Sequence, residues 1–203
     1  MPSHFPALLE ADLRPDPLDQ FQVWFDEATR LSPLAEAAAL ATASLDSAPS
    51  VRMVLIKGWD ARGLVFYTNR ESRKGAELAA NPRVALLFHW PQLGRQVRLE
   101  GAVEAVSDSE SDAYFASRPR ESQLGAVVSN QSQPIGARAE LDLKFARLRE
   151  ELVGKPVTRP SRWGGFRLSP DRYEFWQHRE DRLHDRISYR RVSRGWQAER
   201  LQP

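Results

Sequence analysis

Val51-Arg52-Met53-Val54-Leu55-Ile56-Lys57, then a turn over Asp60 to Gly63, then Leu64-Val65-Phe66-Tyr67-Thr68, is the stretch that decides the fold. Two runs rich in β-branched and aromatic residues flank a short Asp/Gly turn, the pattern of an antiparallel hairpin. The pattern recurs downstream. Val84 to Trp90 and Gln96 to Val106 pair across Pro91 and Gly94, and Gly165 to Leu168, Tyr173 to Gln177, Leu183 to Val192 and Trp196 to Leu201 supply further strands. Six or more strands joined mainly by hairpins predict a mainly β chain, an antiparallel barrel with peripheral helices. A doubly wound sheet needs strand–helix alternation throughout, which is absent. Neither G-x-G-x-x-G nor G-x-x-x-x-G-K-[ST] occurs, so neither the usual dinucleotide fold nor a P-loop is signalled.

Helices fill the gaps. Asp16 caps and Pro17 opens an amphipathic helix over 17–30, with Leu18, Phe21, Phe25 and Ala28 at helical spacing. Ala35 to Ser44 is ambiguous: its alanines favour helix, yet Leu40 to Leu45 reads equally as the opening of a strand. Ser72 to Ala80 reads as a short helix stopped by Asn81-Pro82. Ser107 with Glu110 is a capping-box pattern for a helix to about Ser117, and a second short helix follows Pro119. Glu140 to Leu152 carries Leu141, Phe145, Leu148 and Leu152 on one face, with Gly154 as its cap.

The chain has 203 residues, a formal net charge of +2, 41% hydrophobic residues and no cysteine. We expect a loose N-terminal segment over 1–15 and a single domain over 16–203. The absence of cysteine excludes disulfides, thiolate metal sites, iron–sulfur clusters and a cysteine nucleophile. His4, His89, His178 and His184 are too scattered for a closed zinc site, and no metal is expected. No apolar run reaches the roughly 20 residues a membrane span needs. With no signal-peptide pattern either, the expectation is a soluble cytoplasmic protein without a membrane partner. There are 25 arginines and 4 lysines, interleaved with acidic residues, so no extended tract suits nucleic acid. A pI near 9.1 fits a basic pocket for a small anion as well as a basic surface.

Three constellations bear on chemistry. In Arg182-Leu183-His184-Asp185-Arg186, strand alternation stands Arg182, His184 and Arg186 in a row, roughly 6–7 Å between neighbours. Such a row is either the solvated face of a barrel or a seat for an anion. Ser72-Arg73-Lys74 opens a helix whose free backbone donors suit a phosphate, with surface charge as the alternative. Nearby, Arg52 and Lys57 flank an apolar strand on opposite faces; either a bulge intervenes or they serve different parts of a ligand. Tyr114 and Arg118 lie one helical turn apart, and Ser122 follows four residues on, together a set of phosphate donors. The amide-rich run Asn130-Gln131-Ser132-Gln133 is either plain loop or a reader of a heterocycle's edge. Gln96 and Arg98 share a face of their strand. There is no G-x-S-x-G elbow and no metal-spaced histidine pair. Two anion sites with amide and aromatic groups describe a pocket for a phosphorylated cofactor and a phosphorylated substrate.

These residues carry a resemblance. R-M-V-L-I-K at 52–57, Y-T-N at 67–69, S-R-K-G at 72–75, R-Q-V-R-L-E-G at 95–101 and Y-F-A-S-R-P-R-E-S-Q at 114–123 come in order. S-N-Q-S at 129–132, W-G-G-F-R at 163–167, E-F-W-Q at 174–177 and R-L-H-D-R at 182–186 complete the series. From Asp16 to Pro203 the chain resembles the pyridoxamine/pyridoxine 5'-phosphate oxidases. Any one motif is weak, and all of them in order are highly specific.

The resemblance implies a split β-barrel working as a homodimer, with FMN in clefts at the subunit interface. It implies an FMN set of Arg52, Met53, Val54, Leu55, Ile56, Lys57, Tyr67, Thr68, Arg73, Lys74, Gln96, Gln131, Ser132, Trp176 and Arg186. The implied substrate set is Lys57, Tyr114, Arg118, Ser122, Arg182, Leu183 and His184, with Arg182 and His184 at the reacting end as the catalytic pair. Lys57, Tyr114, Arg118 and Ser122 would hold the substrate phosphate, and Arg73 and Lys74 that of FMN. The implied reaction takes pyridoxine 5'-phosphate or pyridoxamine 5'-phosphate to pyridoxal 5'-phosphate. Hydride passes to flavin N5, and dioxygen is reduced to hydrogen peroxide. His184 is expected to accept or relay a proton. One departure stands out: family members often carry Arg-x-x-Tyr in an N-terminal segment that closes over the substrate. Here Arg14 is followed by Pro15-Asp16-Pro17, and no tyrosine precedes Tyr67. The lid is shortened or replaced, which leaves room for a related FMN oxidase of the phenazine-pathway type. A non-catalytic flavin- or haem-binding split barrel is the rival from another class.

Overall fold

The structure is a computed structural model and describes residues 5–203. Eight antiparallel strands form one sheet: β1 (Ala37–Ala43), β2 (Pro49–Asp60), β3 (Gly63–Asn69), β4 (Arg83–Trp90), β5 (Arg95–Ala105), β6 (Trp163–Gln177), β7 (Asp185–Val192) and β8 (Gly195–Arg200). Their order is β3-β2-β1-β4-β5-β6-β7-β8, and an additional β3–β6 pairing closes the first six into a barrel. β7 and β8 extend the sheet beyond it. The helices are α1 (Pro17–Thr29), α2 (Arg73–Ala80), α3 (Asp108–Ser117), α4 (Arg120–Val128) and α5 (Arg138–Glu151).

Alternation explains the barrel. β1 is buried at every second residue, and Ala38 and Leu40 are fully enclosed. Pairing with β2 and β4 on both sides overrides the helical preference of its alanines. Leu40, Ile56, Leu64, Phe66, Leu86, Phe88, Val97, Leu99, Leu168 and Phe175 point inward and fill the core. α1 plugs the barrel with Phe21 and Trp24, and Phe21 packs 5.0 Å from the ring of Phe88. Asp16 caps α1 by accepting from the Leu18 N–H at 2.8 Å, and Ser107 caps α3 by accepting from the Glu110 N–H at 3.1 Å.

Two strand readings need correction. Residues 165–168 and 173–177 are one strand, β6, running on through Pro170. The register against β5 jumps between Glu100 and Gly101, leaving Asp171 as the extra residue of a bulge. A bulge tolerates a residue without an N–H, and Gly101 admits the close backbone there: a Cβ on it would lie 2.2 Å from the Ser169 carbonyl oxygen. The second correction concerns Leu183 to Val192. Asp181 and Arg182 have φ of 57° and 60°, within a 3-10 turn over Glu180–Arg182, and β7 begins only at Asp185. Arg182 and His184 therefore precede the strand, and the predicted row of Arg182, His184 and Arg186 on one face does not form.

Residues 1–4 lie outside the described residues. Residues 5–15, expected to be loose, run against β7 and β8. The Leu8 N–H donates to Asp185 Oδ2 at 3.1 Å, Arg200 binds both Glu10 oxygens, and the Tyr189 hydroxyl donates to the Arg14 carbonyl at 2.8 Å. No helix among the described residues is long and apolar enough to cross a membrane.

α2 is fastened to the barrel by Glu77, which is 7% exposed. Its carboxylate accepts from Thr42, Ser50, Arg52 and Arg73 at 2.5, 2.6, 3.0 and 2.9 Å. Burial alone would raise its pKa; these hydrogen bonds outweigh burial and hold it at about 2, against an ordinary 4.5. A depressed carboxylate contributes stability that is complete above its unfolded pKa and is lost as pH falls toward its folded one. Glu77→Gln is therefore expected to cost about 2–3 kcal/mol at pH 7. In urea titrations the gap to the parent should close between pH 4.5 and 2; a gap unchanged down to pH 2 would contradict this account.

Candidate functional site

A cavity of about 420 Å³ opens between β2, β3 and the helical layer. β2 contributes Met53, Val54, Leu55 and Lys57, β3 contributes Tyr67, Thr68 and Asn69, and α2 contributes Lys74. Tyr114 and Arg118 enter from α3 and its C-terminal cap, Gly125 and Ala126 from α4, Ser129 and Gln131 from the following loop, and Trp163 from the start of β6.

The aromatic wall depends on a glycine. Tyr67 faces Gly165 across the β3–β6 pairing, and a Cβ there would lie 2.7 Å from the tyrosine ring. With that room, Tyr67 stacks on Tyr114 at 3.9 Å and on Trp163 at 5.5 Å between centroids, with planes within 16° and 9°. Burial raises the pKa of both tyrosines, so both hydroxyls stay protonated donors at neutral pH.

Two cations in the cavity lack a carboxylate partner among the described residues. Lys74 is 8% exposed, and its ammonium donates to Thr68 Oγ1 at 2.8 Å and Gln131 Oε1 at 2.9 Å. Burial, with the charge of Arg52 adding to it, pushes Lys74 down to about 8. Arg118 lies over the Trp163 ring, 4.7 Å from its centroid, and its buried Nη1 has no hydrogen-bond partner. Burial lowers its pKa, opposed by Tyr114. Desolvated cations of this kind are costly unless an anion meets them. Lys57 is different, lying 3.3 Å from Glu36. A bulge does fall at Lys57, where the register against β3 shifts between Ile56 and Gly58. Lys57 and Arg52 have different partners all the same, since Arg52 turns to Glu77.

The predicted residues divide into three groups. Met53, Val54, Leu55, Lys57, Tyr67, Thr68, Lys74, Tyr114, Arg118 and Gln131 meet at the cavity. Arg52, Ile56, Arg73, Ser122 and Ser132 belong to the same elements or loop but do not line it; Ile56 is core, and Arg52 and Arg73 are bound to Glu77. Gln96, Trp176, Arg182, Leu183, His184 and Arg186 are absent from its walls. Three of these form a row of their own: Gln96 pairs with Trp176 and Trp176 with Arg186 across β5, β6 and β7. Glu174 fixes the Arg186 guanidinium at 2.8 Å and raises its pKa. His184 packs 4.5 Å from the Trp176 ring, and its Nδ1 accepts the Arg179 N–H at 3.2 Å. Burial, then His178 and Arg182, lowers the His184 pKa, so its ring is neutral at pH 7.

Sequence reading missed Asn69, Gly125, Ala126, Ser129 and Trp163 as cavity residues. Asn69, Ser129 and Trp163 stood inside quoted motifs, but only the β3–β6 register brings Trp163 opposite Asn69. Among the described residues no group of three or more His, Asp or Glu is placed to hold a metal ion.

Residues 25–151 match the family model described as pyridoxamine 5'-phosphate oxidase, and residues 163–203 match that of the pyridoxine 5'-phosphate oxidase C-terminal dimerisation region. A pyridoxine/pyridoxamine 5'-phosphate oxidase of Rubrobacter xylanophilus is 55% identical over 97% of this chain and 91% of its own. One of Cupriavidus metallidurans is 54% identical over 97% and 93%. Among solved structures, PhzG from Burkholderia lata 383, in complex with tetrahydrophenazine-1-carboxylic acid, superposes with a TM-score of 0.91 at 32% identity, covering 98% of this chain and 99% of that one. With both family models matched in order and relatives similar along nearly its whole length, the chain belongs to the pyridoxamine 5'-phosphate oxidase family.

Proposed function

We propose that the protein is an FMN-dependent oxidase that converts pyridoxine 5'-phosphate and pyridoxamine 5'-phosphate to pyridoxal 5'-phosphate. The observation that carries this reading is a pair of cations without a carboxylate partner among the described residues, Lys74 and Arg118, in one cavity. Two separate anion seats suit a phosphorylated cofactor beside a phosphorylated substrate. The similarity of the tetrahydrophenazine-carboxylate protein favours a second reading, an oxidase of a non-phosphorylated tricycle. The higher identity of the pyridoxine/pyridoxamine oxidases and the two anion seats support the first.

FMN, when bound, supplies the two-electron acceptor that dioxygen reoxidises with release of hydrogen peroxide. The donor set fits it. Lys74 and Arg73 would hold its phosphate at the start of α2, with Arg52 held beside them by Glu77. Thr68, Gln131, Ser132 and the β2 segment from Met53 to Lys57, with Tyr67, would seat the rest. Lys57, Tyr114, Arg118 and Ser122 would grip the substrate phosphate, a handle remote from the reacting carbon that fixes its approach.

The row of Gln96, Trp176 and Arg186, with Arg182, Leu183 and His184, would complete the site from a second copy in a homodimer. Support comes from the location of all but Gln96 within the segment matching the dimerisation region. Val51, Met53 and Leu55, 68%, 63% and 40% exposed on β2 beside the cavity, would be covered by that copy. The Nδ1 contact of His184 refines its expected role: in the neutral ring the proton sits on Nε2. His184 would thus give the substrate a hydrogen bond in this conformation, and could accept a proton only by releasing Arg179. Arg182 would lie with it against the pyridine ring.

Two experiments test the reading. Lys74 loses its proton as pH rises through about 8, so FMN affinity measured by fluorescence titration should be flat from there down to about pH 7, above the second pKa of about 6 of the FMN phosphate. Above about pH 8, affinity should weaken by up to about tenfold per pH unit. Lys74→Arg should abolish the dependence, whereas a wild-type profile flat to pH 9.5 would contradict the assignment. For the shared site, Arg118→Ala and Arg186→Ala chains co-expressed and purified as the heterodimer should regain about half of wild-type activity, because one of two sites is intact. Activity no higher than the mean of the two parents would exclude a site shared between copies.

A further inference from the structure

Most arginines around the site are held by carboxylates: Arg52 and Arg73 by Glu77, Arg186 by Glu174, and Arg167 by Asp60 and Glu110. Arg118 is not. It is the C-cap residue of α3, followed by Pro119, and so leaves the chain at a bend between two helices. A long side chain there has many rotamers, and no acid among the described residues lies within ion-pair distance of it. Its guanidinium instead lies over two rings, Trp163 at 4.7 Å and Phe115 at 5.8 Å from their centroids.

Trp163 is well placed to be a fixed platform. It is 7% exposed, its backbone N–H donates to the Pro160 carbonyl at 2.9 Å, and its backbone carbonyl accepts from Arg159 Nη1 at 2.6 Å. Phe115 meets its ring edge-on at 5.2 Å, and Tyr67 stacks on it. The chemistry of the contact matters. A carboxylate would hold Arg118 by consuming its N–H donors and cancelling its charge. An aromatic face attracts the cation through its quadrupole and leaves the in-plane donors free. The buried, partnerless Nη1 is what such a contact leaves over.

We propose that Trp163 is a positioning residue that holds the Arg118 guanidinium over its indole face, donors free, and so sets affinity for the phosphoryl end of the substrate. The inference rests on the reading of Arg118 as a substrate-phosphate ligand. It adds that this chain uses an aromatic ring where Arg52, Arg73 and Arg186 use an acid.

The test compares Trp163→Leu, Trp163→Phe, Arg118→Ala and the Arg118→Ala/Trp163→Leu pair in the FMN-loaded enzyme. The readouts are KM and kcat for pyridoxine 5'-phosphate, the inhibition constant of inorganic phosphate, and FMN affinity. Trp163→Leu should raise KM about tenfold and weaken phosphate inhibition by a similar factor, with kcat falling less than KM rises. Trp163→Phe, which keeps a smaller aromatic face, should fall between Leu and the parent. On the Arg118→Ala background, Trp163→Leu should add less than about twofold to KM, because the two residues act as one unit. The inference is overturned if Arg118→Ala raises KM but Trp163→Leu leaves KM and phosphate inhibition unmoved, or if the two effects multiply in full. It is also overturned if Trp163→Leu weakens FMN binding as much as it raises KM, since that marks general damage. If Arg118→Ala itself leaves KM and phosphate inhibition unchanged, the phosphate-ligand reading fails first and takes this inference with it.

Discussion

Closure of the barrel by β3 against β6 is the constraint on which the site depends. Six consecutive residue pairs, from Leu64 with Leu168 to Asn69 with Trp163, make that seam. It brings Tyr67 and Trp163 to one end of the barrel, and Gly165 gives the Tyr67 ring the space to lie flat. α2 follows β3 directly and delivers Lys74, and α3 and α4 lead back toward β6 carrying Tyr114 and Arg118. Without the seam, these residues would sit on separate edges of an open sheet.

Charge then sorts the basic residues into two kinds. Arginines paired with Glu77, Glu174, Asp60 and Glu110 have part of their donor set fixed by an acid. Lys74 is buried and Arg118 half-buried beside neutral groups: Thr68 and Gln131 for the lysine, an indole face for the arginine. Burial in the absence of a counter-ion destabilises both charges, and that cost is offset when a phosphate arrives. A cavity with two such positions would suit two anions, as the proposed function requires.

Much of this was legible locally. Asp16-Pro17 and Ser107 with Glu110 announce their helices because capping is settled within four residues, and the β2–β3 hairpin announces itself through its turn. What stayed hidden depends on partners far along the chain. Pro170 looks like a break in β6 until the bulge opposite Gly101 is known. The left-handed backbone at Asp181 and Arg182 undoes the strand pattern of Arg182, His184 and Arg186, and no local residue type signals it. Glu77 reads as an ordinary helix residue, yet it anchors two of the predicted cofactor ligands. Gln96, Trp176 and Arg186 become neighbours only through register across three strands. Trp163 precedes the predicted strand Gly165 to Leu168 in the sequence, yet it opens β6 and serves as a cavity wall in the fold.

The central claim is that one cavity seats a flavin phosphate at Lys74 and a substrate phosphate at Arg118, within reach of one another. The most direct measurement is the visible absorption spectrum of the FMN-loaded protein under anaerobic conditions as pyridoxine 5'-phosphate is added. The account predicts that the flavin bands bleach and that admitting air restores them. Bands that persist at saturating substrate, or a protein that takes up no FMN, would contradict it.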